Sequence, residues 1–414
     1  MTLNGKKTAI FIMPRTSSAW VGAEAVWITV AGWAAAAKNL LGEAQVVTMD
    51  RVASPAEVLD YPIRADYDTN PEVRKKLGAM VPGFIRTVSK DLLQWKNSRD
   101  WDIVEEIQAN KEEVAFVWEQ HDLFAGPGRK LADKYGVPLI VYVHAPVVWE
   151  AAKWGVNRSL WGYYLENFVE KSSLEKADLI AVVSENVKSK IVKMGVPAEK
   201  VLVSPMAVDP QLFEQGSERV ENLRQNLGLE GKTVIGWTGS FRSFHGINYL
   251  IDAFARITRS HPDCRLLLVG DGQGRADAEA QVDSLGIRDK VVFTGRKPFR
   301  EIPQYVSAFD MAVVSASNVS GFHYSPLKLR EYLAAGKPVL APNAGEVPHI
   351  FGNEVHLKLF EAGDVDSMVQ GMEFYLDDPQ TMQRIGERGQ EFALSTSTWE
   401  LELKKSLEQL SKLE

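Results

Sequence analysis

The sequence has one cysteine and no long apolar run, which argues against a disulfide-stabilised protein and against a membrane-spanning one. Cys264 is the one cysteine in 414 residues, which excludes an internal disulfide and fits a reducing compartment. The longest weakly polar run, residues 25–37, is interrupted by Thr29 and Gly32 and is shorter than the ~20 residues that a membrane span needs. The apolar run before Pro14 is too short for a signal peptide. We therefore expect a cytoplasmic protein, with association at the inner face of the membrane left open.

Basic residues do not outnumber acidic ones. The chain has 47 Lys and Arg against 54 Asp and Glu, a net charge of −7, which argues against a general nucleic-acid binder. It also lacks the HExxH motif and the paired cysteines of common metal sites, so we expect neither a metal nor a cofactor. The chain is long enough for two domains, each with its own core.

Short apolar runs separated by helical stretches indicate parallel sheets. Without alternation, such runs are typical of sheets that helices cover on both faces. They span 8–13, 45–49, 114–118, 139–143, 179–183 and 201–204 in the first half, then 233–237, 265–269, 291–293, 311–314, 339–341 and 355–359. We predict an α/β protein with two Rossmann-like domains, residues 1–205 and 232–385. The polar residues 206–231 would link them, and two such domains place a cleft at the carboxyl ends of both sheets.

One segment, residues 325–342, combines a helix start, a helix stop and a buried strand. Ser325 suits the N-cap and Pro326 the first helical position, so that Leu327 and Lys328 present free amides. A glycine eleven residues after the cap then ends the helix before an apolar strand. The segment therefore predicts a helix N-terminus at the end of the second sheet.

The charged residues of this helix face away from its core stripe. Leu329, Tyr332 and Leu333 form the stripe, which turns Lys328 and Glu331 to the other side. A lysine in the first turn opposes the helix dipole and suggests a bound anion. The alternative is a surface lysine beside a solvated glutamate.

Glycine-bearing loops follow three strands of the second domain, at residues 238–246, 270–274 and 294–297. Glycines at strand ends let the backbone approach a phosphate or a base closely. Each loop alone is weak evidence, but all three converge with residues 325–331 on one edge of one sheet. The candidate contacts there are Gly239, Ser240 and Gly272, with the cationic donors Arg242, His245, Arg296, Lys297 and Lys328 for a pyrophosphate.

These runs resemble the donor domain of the retaining glycosyltransferase family 4, which has the GT-B fold. The similar runs are GWTGSFRSFHGINYLIDAF, LLLVGDGQGR, VVFTGRKPFREIPQY, YSPLKLREYLAAGKPVLAP and EAGDVDSM. Weaker similarity continues through the first half in VGAE, WEQHDLF, GVPLIVYVHAPVVWE and ADLIAVVSENVK. The resemblance implies two Rossmann-like domains facing a central cleft, with residues 386–414 forming a helix that crosses back to the first domain.

The resemblance also implies a role for each matching residue of the second domain. Glu331 stands where the family's second glutamate bonds the nucleotide ribose. The amides from Tyr324 to Lys328 stand where the loop meets sugar and phosphate, and Arg296 and Lys297 follow the glycine whose backbone reads the base. Three positions depart from the family. His323 replaces the first glutamate, and Ser240 and His245 replace the usual arginine and lysine, for which we expect Arg242 and Lys328 to compensate.

In the first domain the resemblance assigns the acceptor side. His121 stands where a histidine borders the transferred sugar, and Gly22 and Glu24 belong to the loop near phosphate and acceptor. His144 follows the next strand, so the two histidines are expected side by side, with a site role and a structural role both open for His144.

Two further stretches of the first domain have open interpretations. Residues 83–99 predict a helix with apolar and basic residues, which would either cover the sheet or suit a membrane surface. Residues 149–168 are rich in aromatics, which we expect to pack as core, although aromatic faces also meet sugars and lipids.

The resemblance implies a metal-independent retaining glycosyltransferase that moves a hexose from a UDP- or GDP-sugar to a hydroxyl acceptor. The acceptor would belong to cell-envelope polysaccharide, glycolipid or natural-product glycoside synthesis, and it could be lipid-linked. The alternative is a nucleotide-sugar-binding subunit that has lost catalysis, as the changes at His323, Ser240 and His245 suggest. An epimerase or a phosphorylase of the same fold is a third possibility that the spacing of the motifs disfavours.

Overall fold

The computed structural model describes residues 7–17, 24–59, 83–99, 101–107, 109–153, 155–156, 158, 161–213, 216–318 and 325–413. The chain divides into two compact units. The first comprises Met1–Pro205 with Trp399–Glu414, and the second Met206–Thr398.

The first unit is built on a sheet with the strand order β3-β2-β1-β4-β5-β6-β7. Neighbouring strands are parallel except β2 and β3, which are antiparallel. Every residue of the two central strands β4 and β5 is buried, as a sheet covered on both faces requires. The strands are β1 Lys7–Ile12, β2 Gly42–Thr48, β3 Arg51–Ala53, β4 Val114–Gln120, β5 Leu139–Val143, β6 Leu179–Val182 and β7 Val201–Val203.

Helices follow the strands of this unit in the expected alternation. They are α1 Glu24–Leu41, α2 Pro55–Val58, α3 Gly83–Asn97, α4 Gly128–Tyr135, α5 Val147–Lys153, the continuous segment α6 (Gly162–Tyr164, Leu165–Glu170 and Lys171–Glu175) and α7 Glu185–Lys193. The last helix of the chain, Trp399–Leu413, also packs here. A Cβ on Gly32 would lie 2.2 Å from the Trp399 indole nitrogen, so the absence of a side chain on α1 lets that helix approach.

The second unit has an all-parallel sheet in the order β10-β9-β8-β11-β12-β13. Buried apolar residues form a core on each face of the sheet. Its strands are β8 Thr233–Thr238, β9 Cys264–Val269, β10 Val291–Gly295, β11 Met311–Val313, β12 Val339–Pro342 and β13 Lys358–Phe360. Its helices are α8 Ser217–Asn226, α9 Ile247–Ser260, α10 Arg275–Ser284, α11 Ile302–Ser307, α12 Leu327–Ala334, α13 Val347–Ile350, α14 Val365–Leu376 and α15 Pro379–Thr396. The last helix of the chain, Trp399–Leu413 in the first unit, is α16.

Every predicted strand overlaps an observed one, and the differences have local causes. The predicted strand at 355–359 begins at Lys358, because a bridge between Asn353 and Leu357 turns the chain first. The antiparallel strand β3 was not predicted. Residues 206–231, which the sequence predicts to be a linker, contain α8 and lie in the second unit, where Arg224 is paired with Asp310 at 3.2 Å.

The expectation that the aromatics of residues 149–168 form core is wrong for three of them. Tyr163, Tyr164 and Phe168 are exposed. Leu165 is buried in this segment and Trp161 is half-buried, and both pack against residues 123–124. Trp154 lies outside the described residues.

Candidate donor site and its surroundings

Three glycine loops of the second unit are hydrogen-bonded to one another at the carboxyl ends of β8, β9 and β10. Gly239 N donates to Val269 O at 2.9 Å, and Phe241 N donates to Asp271 O at 3.1 Å. Gly270 N donates to the carbonyl of Gly295 at 3.0 Å. The structure thus brings the predicted loops together on one edge of the sheet.

The loops need glycine where they touch. At Gly270, φ is +141° and a Cβ would lie 1.8 Å from the Gly239 carbonyl oxygen. At Gly272, φ is +152° and a Cβ would lie 2.8 Å from Phe241 N. Backbone therefore packs directly on backbone where the loops touch.

Helix α12 begins one residue later than expected. Ser325 is not the N-cap, since the helix starts at Leu327 and Pro326 precedes it without a side-chain cap. The Ser325 hydroxyl instead accepts a hydrogen bond from Met206 N at 3.1 Å, which removes it from the helix start. Lys328 remains in the first turn, beside the amide of Leu327. Gly336, with φ +69°, ends the helix as predicted.

Lys328 is the unusual residue of this helix. Its Nζ is buried, lies 4.4 Å from the centre of the Trp237 ring and has no hydrogen-bond partner among the described residues. A Cβ on Gly239 would lie 2.7 Å from this nitrogen, so Lys328 reaches the first glycine loop. Burial lowers the pKa of Lys328 to about 7, although Glu331 raises it. A buried ammonium without a hydrogen-bond acceptor is unfavourable unless a ligand supplies one.

Glu331 lies one turn further along the same helix and is also buried. Burial raises the pKa of Glu331 to about 7, against the lowering effect of Lys328. Tyr332 fixes the helix to the sheet, because its hydroxyl accepts from Thr238 N at 2.7 Å and contacts the Thr238 hydroxyl at 2.9 Å. This contact holds Lys328 over Trp237, at the end of β8.

His245 belongs to the same cluster. Its ring centre lies 6.1 Å from that of Trp237, and its Nδ1 is buried without a hydrogen-bond partner among the described residues. Burial, together with the positive charges of Lys328 and Arg242, lowers the pKa of His245 to about 2, so the ring is neutral. Arg242 is exposed and Ser240 half-buried in the same loop.

The remaining candidates divide between the described and undescribed parts of the chain. Arg296 is exposed just after β10, and Lys297 Nζ lies 5.5 Å from the centre of the Tyr305 ring. Glu24 begins α1. Gly22, His323 and Tyr324 lie outside the described residues.

In the first unit, His121 directly follows β4 and is held by a buried carboxylate. Its Nε2 lies 2.8 Å from Glu170 Oε1, and the backbone amides of Val147 and Val148 donate to the same carboxylate. Glu170 is fully buried. This network orients the imidazole at the end of the strand.

His144 lies at the end of the neighbouring strand β5. Gln120 contacts its Nδ1 at 3.1 Å and Thr29 contacts its Nε2 at 3.4 Å, so both ring nitrogens have neighbours within the protein. Burial lowers the pKa of His144 to about 4. These contacts favour a structural role for the neutral ring.

Sequence reasoning missed three residues of these sites: Trp237, Tyr332 as an anchor, and Glu170. Trp237 belongs to the apolar run of β8 and Tyr332 to the apolar stripe of α12. Such a pattern does not distinguish an aromatic that only fills the core from one that contacts or positions a lysine. Glu170 is 49 residues from His121, and its charge inside an apolar helical stretch was the one available signal.

The fold defines the class of the protein. The structure resembles that of Anabaena HepE in complex with UDP-glucose, with a TM-score of 0.63 at 20% identity over 98% of this chain and 99% of the other. The two Rossmann-like units are those of the GT-B fold, as predicted.

The sequence comparisons identify the family. Residues 59–212 match the family described as Glycosyltransferase Family 4, and residues 219–392 match Glycosyl transferases group 1. The chain belongs to this family of group 1, family 4 glycosyltransferases, which confirms the resemblance noted in the sequence.

Two curated relatives illustrate the similarity. A 2-deoxystreptamine glucosyltransferase of Streptomyces kanamyceticus is 31% identical over 62% of this chain, and an MMP alpha-(1->4)-mannosyltransferase of Mycolicibacterium hassiacum is 26% identical over 66%. Each alignment spans 65% of the relative, slightly less than two thirds of its length.

Proposed function

We propose that the protein is a glycosyltransferase that transfers a hexose from a nucleoside diphosphate sugar to a hydroxyl acceptor. The observation that carries this proposal is the Nζ of Lys328, which is buried over Trp237 beside the Gly239 loop and has no hydrogen-bond partner among the residues that the structure describes. His245 Nδ1, which also has no hydrogen-bond partner among the described residues, belongs to the same cluster. A diphosphate would supply the oxygen acceptors and negative charge that this cluster lacks.

The same residues suit the chemical step. Negative charge develops on the leaving diphosphate as the glycosidic bond breaks, and a preorganised cation at a helix N-terminus stabilises that charge. Lys328 and the first amides of α12 would carry this role, and Glu331 would accept hydrogen bonds from the ribose hydroxyls. We assign His121 to the border of the transferred sugar, as the family resemblance implies, with Glu170 orienting its ring. This scheme requires no metal ion.

We further propose that the reaction retains the anomeric configuration. Nucleotide hexoses such as UDP-glucose are alpha-linked, and one relative is named for forming an alpha linkage. The relatives' names also support a glucosyl or a mannosyl donor and a small polar or sugar-like acceptor. Such acceptors fit natural-product glycoside or envelope glycan synthesis in the cytoplasm.

Diphosphate release tests this function directly. The protein is incubated with UDP-glucose, UDP-N-acetylglucosamine or GDP-mannose, with and without 2-deoxystreptamine or sugar acceptors, and UDP or GDP is quantified. We expect acceptor-dependent release that EDTA does not abolish, an alpha-linked product by NMR, and loss of both release and nucleotide binding in Glu331→Ala. Tight donor binding with no turnover in the presence of any acceptor would instead favour the alternative, a nucleotide-sugar-binding subunit that has lost catalysis.

A further inference from the structure

Helix α3 is turned with its polar side toward the protein. Within this helix, all of which the structure describes, Asp91 is the buried residue. Phe84 and Leu92 are each 58% exposed, and Leu93 is 59% exposed. A helix that only covered a sheet would bury its apolar side chains and expose its aspartate.

Specific polar contacts hold α3 in this orientation. Arg158 donates to both carboxylate oxygens of Asp91 at 2.8 and 2.9 Å, and the Trp161 indole nitrogen donates to one of them at 2.8 Å. Further along the helix, Gln94 donates to Asp122 at 2.8 Å. The apolar exposure is therefore built into the packing of the helix.

A second group of exposed apolar side chains lies on the segment that contacts α3. Tyr163 is 75% exposed, and Tyr164 and Phe168 are stacked with ring centres 5.3 Å apart. These residues follow Trp161, which bonds to Asp91, so α6 and α3 are joined at the same ion pair. Exposed apolar groups that recur on adjoining elements mark an interaction surface.

The charge on α3 indicates what this surface contacts. Arg86, Lys90 and Lys96 are exposed on the helix, whereas its one acidic residue, Asp91, is paired with Arg158. The chain as a whole carries a net charge of −7, so this basic helix is a local exception. Basic residues that flank exposed Leu, Phe, Trp and Tyr side chains are typical of helices that lie on anionic membranes.

We propose that α3, together with the exposed aromatics of α6, docks the first unit on an anionic lipid surface. The apolar side chains would enter the boundary between headgroups and acyl chains, and the lysines and Arg86 would contact lipid phosphates. A symmetric contact between two copies of the chain would bring these like charges together, which disfavours self-association.

Vesicle co-sedimentation of the full chain tests the proposal. We expect binding to phosphatidylcholine vesicles that contain phosphatidylglycerol, weak binding to phosphatidylcholine alone, and release at high salt. Lys90→Glu with Lys96→Glu should weaken binding by about 30-fold or more. Leu92→Ser with Leu93→Ser should weaken it at every lipid charge.

Matched control variants distinguish a specific effect of the α3 surface from a general effect of changing exposed lysines or leucines. Lys130→Glu with Lys193→Glu changes the same charge on exposed lysines of α4 and α7, and Leu285→Ser changes an exposed leucine of the second unit. These controls should bind vesicles like the unsubstituted protein, and circular dichroism should show every variant folded. UDP binding serves as a separate readout, so loss of donor binding is not mistaken for loss of docking.

Three results would overturn the proposal. The first is absence of binding to anionic vesicles, and the second is equal loss in the α3 variants and the controls. The third is a lipid-free dimer in sedimentation velocity that Leu92→Ser with Leu93→Ser dissociates, because it would make the surface a contact between copies.

Discussion

The contacts of Lys328 compensate only partly for the burial of its positive charge. The neighbouring Trp237 ring provides a cation–π contact, and Glu331 provides attraction without a hydrogen bond among the described contacts. Such contacts offset only part of the cost of burying an ammonium group. The residue is therefore costly for the unliganded protein and useful for binding an anion.

Replacing Lys328 by methionine should separate binding from stability. Lys328→Met keeps the length of the side chain and removes the charge, so we expect UDP or GDP to bind about 10- to 100-fold more weakly, the range for a lost hydrogen bond to a charged group. The free energy of unfolding should be unchanged or higher, because the substitution removes a buried charge that has no hydrogen-bond partner among the described residues. Isothermal titration calorimetry and urea denaturation measure the two quantities.

Lys337 provides the matched control. Its Nζ donates to Ser307 O at 2.7 Å, so the lysine has a structural partner. Lys337→Met should lower the free energy of unfolding by about 1 kcal/mol and leave nucleotide affinity unchanged. Equal losses of affinity in both variants would contradict a specific role for Lys328.

Proton exchange on nucleotide binding should change sign near pH 7. Burial lowers the pKa of Lys328 to about 7 and raises that of Glu331 to about 7. At pH 8 the unliganded lysine is mostly neutral, so a bound diphosphate should raise its pKa and take up a proton. At pH 6 Glu331 is mostly protonated, so hydrogen bonds from the ribose should lower its pKa and release one.

Calorimetry with UDP-glucose, whose diphosphate has no group that titrates between pH 6 and 8, measures this exchange in buffers of different ionisation enthalpy. The uptake at pH 8 should vanish in Lys328→Met, and the release at pH 6 should vanish in Glu331→Gln. A proton balance that is the same at both pH values and in both variants would show that neither group titrates with binding.

At the scale of elements, the site depends on how closely the glycine loops approach α12. Gly239, Gly270 and Gly295 belong to loops joined by backbone hydrogen bonds, and Tyr332 joins α12 to the end of β8. The position of Lys328 therefore depends in part on contacts between uncharged groups.

Gly270→Ala should destabilise the second unit by more than its backbone conformation alone explains. A positive φ costs a non-glycine residue about 1–3 kcal/mol, and here a Cβ would also overlap the Gly239 carbonyl. Gly286→Ala is the control, since φ is +67° there and nothing lies within 4 Å of a Cβ. We expect Gly270→Ala to lower the free energy of unfolding more than Gly286→Ala does, and to weaken UDP binding, which Gly286→Ala should leave unchanged. Equal losses would show that the loop can move aside.

At the scale of the whole molecule, the chain forms two units, of which the first is not continuous in sequence. Residues 399–414 belong to the first unit, where Trp399 packs against Gly32 and its ring centre lies 6.0 Å from that of Trp33. The candidate donor residues of α12 and the glycine loops belong to the second unit. No helix within the described residues has the length and apolar character needed to cross a bilayer.

Nucleotide should therefore protect one unit more than the other. UDP at 100 times its Kd stabilises the state that binds it by about 2.7 kcal/mol. We expect hydrogen exchange to slow in β8, β9 and α12 and to remain unchanged in β2 and α7. Equal protection of both units would indicate that the nucleotide contacts both or that they unfold together.

The sequence by itself determined most of the order of strands and helices and the sheet edge at which the candidate donor residues lie. Apolar runs, glycines and the proline before α12 act through local backbone preferences, and parallel strands bring their carboxyl ends to one edge whatever the details of packing. For this reason the loops at Gly239, Gly270 and Gly295 could be grouped before the structure was known.

Only the tertiary structure decided which charged and apolar residues are buried. The Nζ of Lys328 is buried because Trp237 and the Gly239 loop cover it. Helix α3 exposes its leucines because Asp91 is bound by Arg158, 67 residues away. Burial depends on partners distant in sequence, whereas helical periodicity records only the spacing along one element. The same periodicity therefore fits a helix that covers a sheet and one that presents its apolar side to a membrane.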